Sequence, residues 1–178
     1  AKAAIDMSKT TGLSIEDASR WIGVGEDYKI GAETLTGAIG KITKSLDDVK
    51  WAKFGIATKN AAGDARDAND VLIDTLSKLS AMPNKTAQAE EGFKLFGKGF
   101  GAIAPLLGHT REEYEKMLGS VEKGQVITES EARKAEKMRL AQDKLVDSLK
   151  EVGLAAGALV AEFAPLLSVV AELITGVT

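Results

Sequence analysis

"MRLAQDKLVDSLKEVGLAAGALVAEFAPLLSVVAEL", residues 138–173, is the stretch whose periodicity decides the fold. Alternating steps of four and three residues lead from Met138 to Gln142, Leu145, Leu149, Val152, Ala156, Leu159, Phe163, Leu166, Val170 and Leu173. Ten of these eleven positions are apolar. A 3-4 ladder held for about five heptads is the pattern of a coiled-coil seam. From Thr128 onward only Pro165 interrupts the helical pattern. At about 1.5 Å per residue, residues 128–175 would form a helix roughly 70 Å long. That length outruns a compact domain of this size, so the ladder predicts contacts with further copies of the chain. The seam residues are Met138, Leu145, Leu149, Val152, Ala156, Leu159, Phe163, Leu166, Val170 and Leu173.

Two other readings share this pattern. A helix folded back on its own chain shows the same period. A membrane span is the other, because Glu162 and Glu172 are the charged residues between Val152 and Ile174, and Gly153, Gly157 and Ala161 make a small-xxx-small face. Twenty-three residues suffice to cross a bilayer. Against it, Glu162 at the midpoint costs about 2.5–3.5 kcal/mol on insertion, Pro165 lies close by, and cationic anchors are missing from the flanks. The segment reads as buried in an assembly, with membrane contact at a later stage.

Working back along the chain, "EARKAEKMRLAQDK" (131–144) is a solvated helix surface, with charges such as Glu136 and Arg139 one turn apart. Residues 1–127 read as a module of short amphipathic helices. In "TGLSIEDASRWIG" (11–23), Ser14 is an N-cap with Asp17 three residues on, Gly12 stops whatever precedes it, and Gly23 and Gly25 end the helix. Leu35, Ile39, Ile42, Leu46 and Val49 trace a stripe that predicts a helix over residues 32–53. Residues 55–66 lack helical period and contain "NAAGD", the signal of a small β-hairpin or an ordered loop. Asp67 caps the next helix, whose stripe is Val71, Leu72, Leu76 and Leu79, and Met82-Pro83 stops it. "NKTAQAEEGFKLFGK" (84–98) and "GAIAPLL" (101–107) read as further helices. Thr110 with Glu113, and Thr128 with Glu131, have capping-box spacing. The fold class is therefore mostly α.

Composition narrows the function. The 23 basic and 26 acidic residues leave a net charge of -3, which does not mark a nucleic-acid binder. The chain has no cysteine and a single histidine, His109, which argues against disulfide frameworks, His-rich metal sites and Ser-His-Asp catalysis. Glu33 and Glu113 read as helix-surface residues. The glycine-rich run "GFKLFGKGFGAIAPLLG" (92–108) misses both phosphate-binding patterns: Ala102 stands where the third dinucleotide glycine belongs, and Gly99 stands where a P-loop needs Ser or Thr. No catalytic, metal or cofactor site is expected. The opening "AKAAIDMSK", without an initiator Met or signal sequence, reads as an internal piece of a longer protein.

Taken in order, "TGLSIEDASR", "FGIATKNAAGDARDANDVLIDTLSKLSAMPN", "LFGKGFGAIAPLLG" and "TESEARKAEKMRLAQDKL" followed by the apolar tail resemble the conserved region of phage tail tape measure proteins. The likeness covers residues 10–170 and rests on the order and spacing of the segments rather than on one motif. It implies a structural role, not an enzymatic one: a virion component in the lumen of the tail tube, near the tip, whose helical length sets tail length and which leaves ahead of the DNA. It also implies assembly in the host cytoplasm. The partners implied are copies of itself in parallel, most simply a trimer, then the tail tube protein, tip or baseplate hub proteins, and the host membrane during ejection. Specific nucleic-acid binding is not implied. The alternative function is a membrane-active helical protein that forms a channel for DNA entry.

Overall fold

The computed structural model describes residues 1–43 and 49–151. They are mostly helical, and no strand is present among them. The helices are α1 (Lys2–Thr11), α2 (Ile15–Asp27), α3 (Ala32–Thr43), α4 (Val49–Phe54), α5 (Ala68–Ser80), α6 (Lys85–Phe96), α7 (Phe100–Ile103) and α8 (Arg111–Ser120). A further helix, α9, runs from residue 129 through residue 151, where the described residues end. The chain divides into two compact units, Ala1–Arg133 and Lys134–Thr178.

In the first unit the helix starts follow from side chains that satisfy exposed backbone N–H groups. Ser14 Oγ accepts from the Asp17 amide at 3.0 Å. Asp67 accepts from Asn69 and Asp70 at 2.8 and 3.2 Å. Asn84, a cap the sequence reading passed over, accepts from Thr86 and Ala87 at 2.9 and 3.1 Å. Thr110 and Glu113 form a full capping box. Thr128 and Glu131 do the same at α9: the Thr128 amide donates to the Glu131 carboxylate at 2.9 Å, and the Glu131 amide to Thr128 Oγ1 at 3.3 Å. Gly12 ends α1 in the left-handed region (φ 74°), donating its N–H to the Ser8 carbonyl.

Between these caps the apolar stripes pack on α3, which lies against α1, α2, α5, α6 and α7. Leu35, Ile39 and Ile42 of α3 are fully buried with Met7, Trp21, Trp51, Leu72, Leu76, Leu79, Phe96 and Tyr114. Each such side chain withdrawn from water contributes about 1.5–3 kcal/mol, so this cluster is the main source of cohesion.

Two expectations need correction, and a third falls partly outside the described residues. Gly23 and Gly25 lie inside α2, which runs to Asp27. They mark close packing: a Cβ on Gly23 would lie 2.9 Å from Val121 Cγ1, and one on Gly25 would lie 3.0 Å from the Ile30 carbonyl. Of the helix expected over 32–53, the described parts are helical, as α3 and α4, while residues 44–48 and the side chains of 43–50 lie outside the described residues. The hairpin expected at 55–66 is an ordered loop with one antiparallel bridge, Lys59 to Ala65. Asn60 closes the turn, its side-chain oxygen accepting from Ala62 and Asp64 at 2.9 and 3.0 Å, and the ladder stops at one pair because Asp67 already caps α5 and the Ile56 amide donates back to the Trp51 carbonyl at 2.9 Å.

Candidate assembly surface

The glycine-rich run at 92–108 packs against the core. A Cβ on Gly92 would overlap the Phe100 ring, and one on Gly99 would lie 3.0 Å from Ala38 Cα. Phe100 meets Phe93 edge-on at 5.2 Å and Phe96 at 6.2 Å between ring centres. The short turns Gly97–Gly99 and Ala104–Leu106 flank α7. These glycines let α6, α7 and α3 approach one another.

The single histidine belongs to a polar seam among α2, α5 and α8. His109 Nε2 and the Tyr28 hydroxyl lie 2.9 Å apart, and the His109 ring stands edge-on to Tyr114 at 5.5 Å. Tyr114 donates its hydroxyl proton to the Leu106 carbonyl at 2.7 Å. Burial pushes its phenol above the ordinary value, with Ser80, 3.2 Å away, acting in the opposite sense. The partners of this seam, Tyr28, Ser80 and Leu106, lie at helix or turn ends, so the contacts hold those ends together.

The strongest electrostatic feature joins α5 to α8. Arg111 reaches Asp70 at 2.6 Å, Glu115 at 2.8 Å and also Asp74, while Arg66 reaches Asp74 at 2.7 Å. Burial raises the Asp74 carboxyl, but the two guanidinium groups outweigh it and hold the group below 3.8. The hydrogen bond that Arg111 donates to Asp70 raises the guanidinium further above its already high value. Among the described residues no group of three or more His, Asp or Glu is arranged to hold a metal ion.

Within the first unit, two side chains of α2 hold the residues at the start of α9. Ser19 Oγ accepts from the Ile127 amide at 3.2 Å, and the Glu16 carboxylate accepts from the Glu129 amide at 3.1 Å. Ala132, one turn further, is buried. A carboxylate on the first amide of a helix also meets the positive end of the helix dipole. Sequence reasoning passed over both residues, because their partners lie 108 and 113 positions away and no local pattern links them.

In the second unit α9 is amphipathic. At about 100° per residue, Met138, Gln142, Leu145 and Leu149 share one face. The three apolar members are 67%, 60% and 62% exposed, so each leaves more than half of itself to water. Val146 flanks this stripe and Leu140 falls on the far side. Arg139 pairs with Asp143 at 2.8 Å and Lys150 with Asp147 at 3.5 Å. Both pairs lie on the polar side and are surface contacts worth a few tenths of a kcal/mol. The remaining expected seam residues, Val152, Ala156, Leu159, Phe163, Leu166, Val170 and Leu173, lie outside the described residues, as does the span from Val152 to Ile174. Among the described residues no helix is long and apolar enough to cross a membrane.

Compared with known protein families, curated proteins and solved structures, the chain matches none.

Proposed function

We propose that this chain is a self-associating structural segment of a phage tail, the conserved part of a tape measure protein. The observation that carries the reading is the row of Met138, Leu145 and Leu149 on α9, each more than half exposed and in phase with a ladder that the sequence extends to Leu173. An apolar stripe of this kind is stable in water once copies bury it against one another, and each fully covered Leu then contributes about 1.5–3 kcal/mol. The resemblance of the segment order to tape measure proteins supplies the setting. In that setting the folded module of residues 1–133 sits near the tail tip, beside hub proteins. The helices run along the tube lumen, where about 1.5 Å per residue converts chain length into the number of tube rings. Release of the bundle then clears the lumen for DNA.

Light scattering of residues 1–178 across a concentration series tests this. A trimer or larger assembly that Leu149→Asp together with Leu159→Asp dissociates is the expected result. A monomer at every concentration overturns it. The second reading, a membrane-active helix, is motivated by the apolar composition of residues 152–174. Flotation of the full chain with liposomes decides between the two: strong binding by a chain that stays monomeric favours the membrane.

A further inference from the structure

Gln142 is the one polar member of the ladder, and we infer that it fixes how copies of this chain align: parallel and unshifted, each Gln142 level with the others. The inference rests on the self-association proposed above. It concerns a different property, the choice among alignments that the apolar ladder alone would leave equivalent.

The seam assigns each ladder residue to one of two alternating layers. Gln142 shares its layer type with Leu149, Ala156, Phe163 and Val170; Met138, Leu145, Val152, Leu159, Leu166 and Leu173 form the other. In a parallel bundle like layers meet, and in an antiparallel one the two types meet. Every antiparallel alignment that covers the apolar run therefore sets Gln142 against Met, Leu or Val. The alignment centred between residues 157 and 158, which covers the run, sets it against Leu173, with Leu145 against Val170 and Leu149 against Leu166. Parallel bundles slipped by a heptad fare no better, because Gln142 then meets Leu149 or Ala135. Larger slips leave much of the apolar run uncovered.

In each of those cases a primary amide enters an apolar layer with no partner, which costs the full loss of its hydrogen bonds to water. Only the unshifted parallel alignment brings Gln142 to Gln142. There the side-chain oxygen of one copy accepts from the side-chain N–H of the next. The position suits the role: Gln142 is exposed and shares one helix face with Met138, Leu145 and Leu149, which are exposed as well. A single polar layer that sets register at a cost in stability is the best-attested use of a buried polar group in such assemblies.

The chain lacks cysteine, so single spin labels can be placed without background, at Lys137→Cys and at Lys150→Cys. The two sites lie about 20 Å apart along the helix axis, from the rise per residue. An unshifted parallel assembly gives short, similar 137–137 and 150–150 distances, and a longer 137–150 distance between copies. Gln142→Leu is expected to tighten the assembly by about tenfold in midpoint concentration. It should also produce new, much longer 137–137 distances, as antiparallel copies enter. Gln142→Asn should keep the single alignment. Three results overturn the inference: antiparallel or mixed distances in the unsubstituted chain, slipped distances, or a Gln142→Leu chain that keeps one alignment. An unsubstituted chain that stays monomeric defeats the self-association itself, which separates the two failures.

Discussion

The indole N–H of Trp21 donates to the side-chain oxygen of Asn69 at 2.7 Å, tying the middle of α2 to the first turn of α5. Trp21 is fully buried, and its ring lies 6.3 Å from that of Tyr114 in α8. The hydrogen bond to Asn69 and the ring contact with Tyr114 thus let one side chain of α2 register both α5 and α8. Asn69→Ala removes the acceptor and leaves the indole N–H without a partner. The expected loss is about 1–3 kcal/mol in urea unfolding. A loss below about 0.5 kcal/mol would mean that the contact is replaceable, because it would then fall within the range of neutral surface changes.

Asp74 gives the fold a pH dependence. Folding lowers its carboxyl pKa below 3.8, since Arg66 and Arg111 outweigh the burial that raises it. The ionised form is therefore the one the fold favours. Its contribution is complete above the unfolded value and is lost as pH falls through the folded value. Asp74→Asn should cost about 1–2 kcal/mol at neutral pH, allowing for partial exposure and solvent screening. The same variant should show a shallower fall in stability below about pH 4, the ordinary carboxylate range. Parallel acid-unfolding curves for the two proteins would contradict this assignment.

What the sequence disclosed depended on the range of the interaction. Ser14, Asp67, Thr110 and Thr128 cap helices through residues three positions away, so each was visible in a short window. The stripe Val71, Leu72, Leu76 and Leu79 was equally visible, because burial of a helix face leaves a local period. Gly23 and Gly25 misled for the opposite reason. As single letters they resemble helix stops, yet what they accommodate is Val121 and Ile30, brought close by the tertiary fold. At 55–66 the turn was legible in "NAAGD", where Asn60 takes two amides, but the choice between hairpin and ordered loop was not, because it depends on Asp67 and Ile56 being claimed by the helices on either side. Glu16 and Ser19 were illegible altogether, since their partners enter from the far end of the module. The stripe on α9 was legible as a period. Nothing in the period distinguishes a face covered by the same chain from one covered by another.

Gly92 is where the glycine-rich run can be tested as packing. Gly92→Ala places a methyl group into the Phe100 ring, which is buried and held between Phe93 and Phe96. Overpacking at such a position costs about 1–3 kcal/mol. Adding Phe100→Leu to Gly92→Ala should recover part of that loss, because the smaller side chain vacates the space. Thermal unfolding of the two single variants and the double variant measures the coupling. Strict additivity would show that the residues do not share the space.

The root of α9 makes a prediction about local rather than global stability. Ser19 and Glu16 take the Ile127 and Glu129 amides, and Ile127 packs against the core of the first unit. Ser19→Ala removes one acceptor, worth about 0.5–1.5 kcal/mol. Glu16→Ala removes a charge from the first turn of a helix, worth about 0.3–1 kcal/mol. Both losses fall on residues 121–129, which can open while the core of α3 and α5 stays closed. Amide exchange at Ile127 should therefore quicken by about threefold to tenfold in Ser19→Ala, from that energy range, with Leu76 unchanged. Equal acceleration at both amides would mean that the root opens only when the whole module unfolds. An Ile127 amide already unprotected in the parent chain would mean that Ser19 does not hold it in solution, and α9 would then begin free of α2.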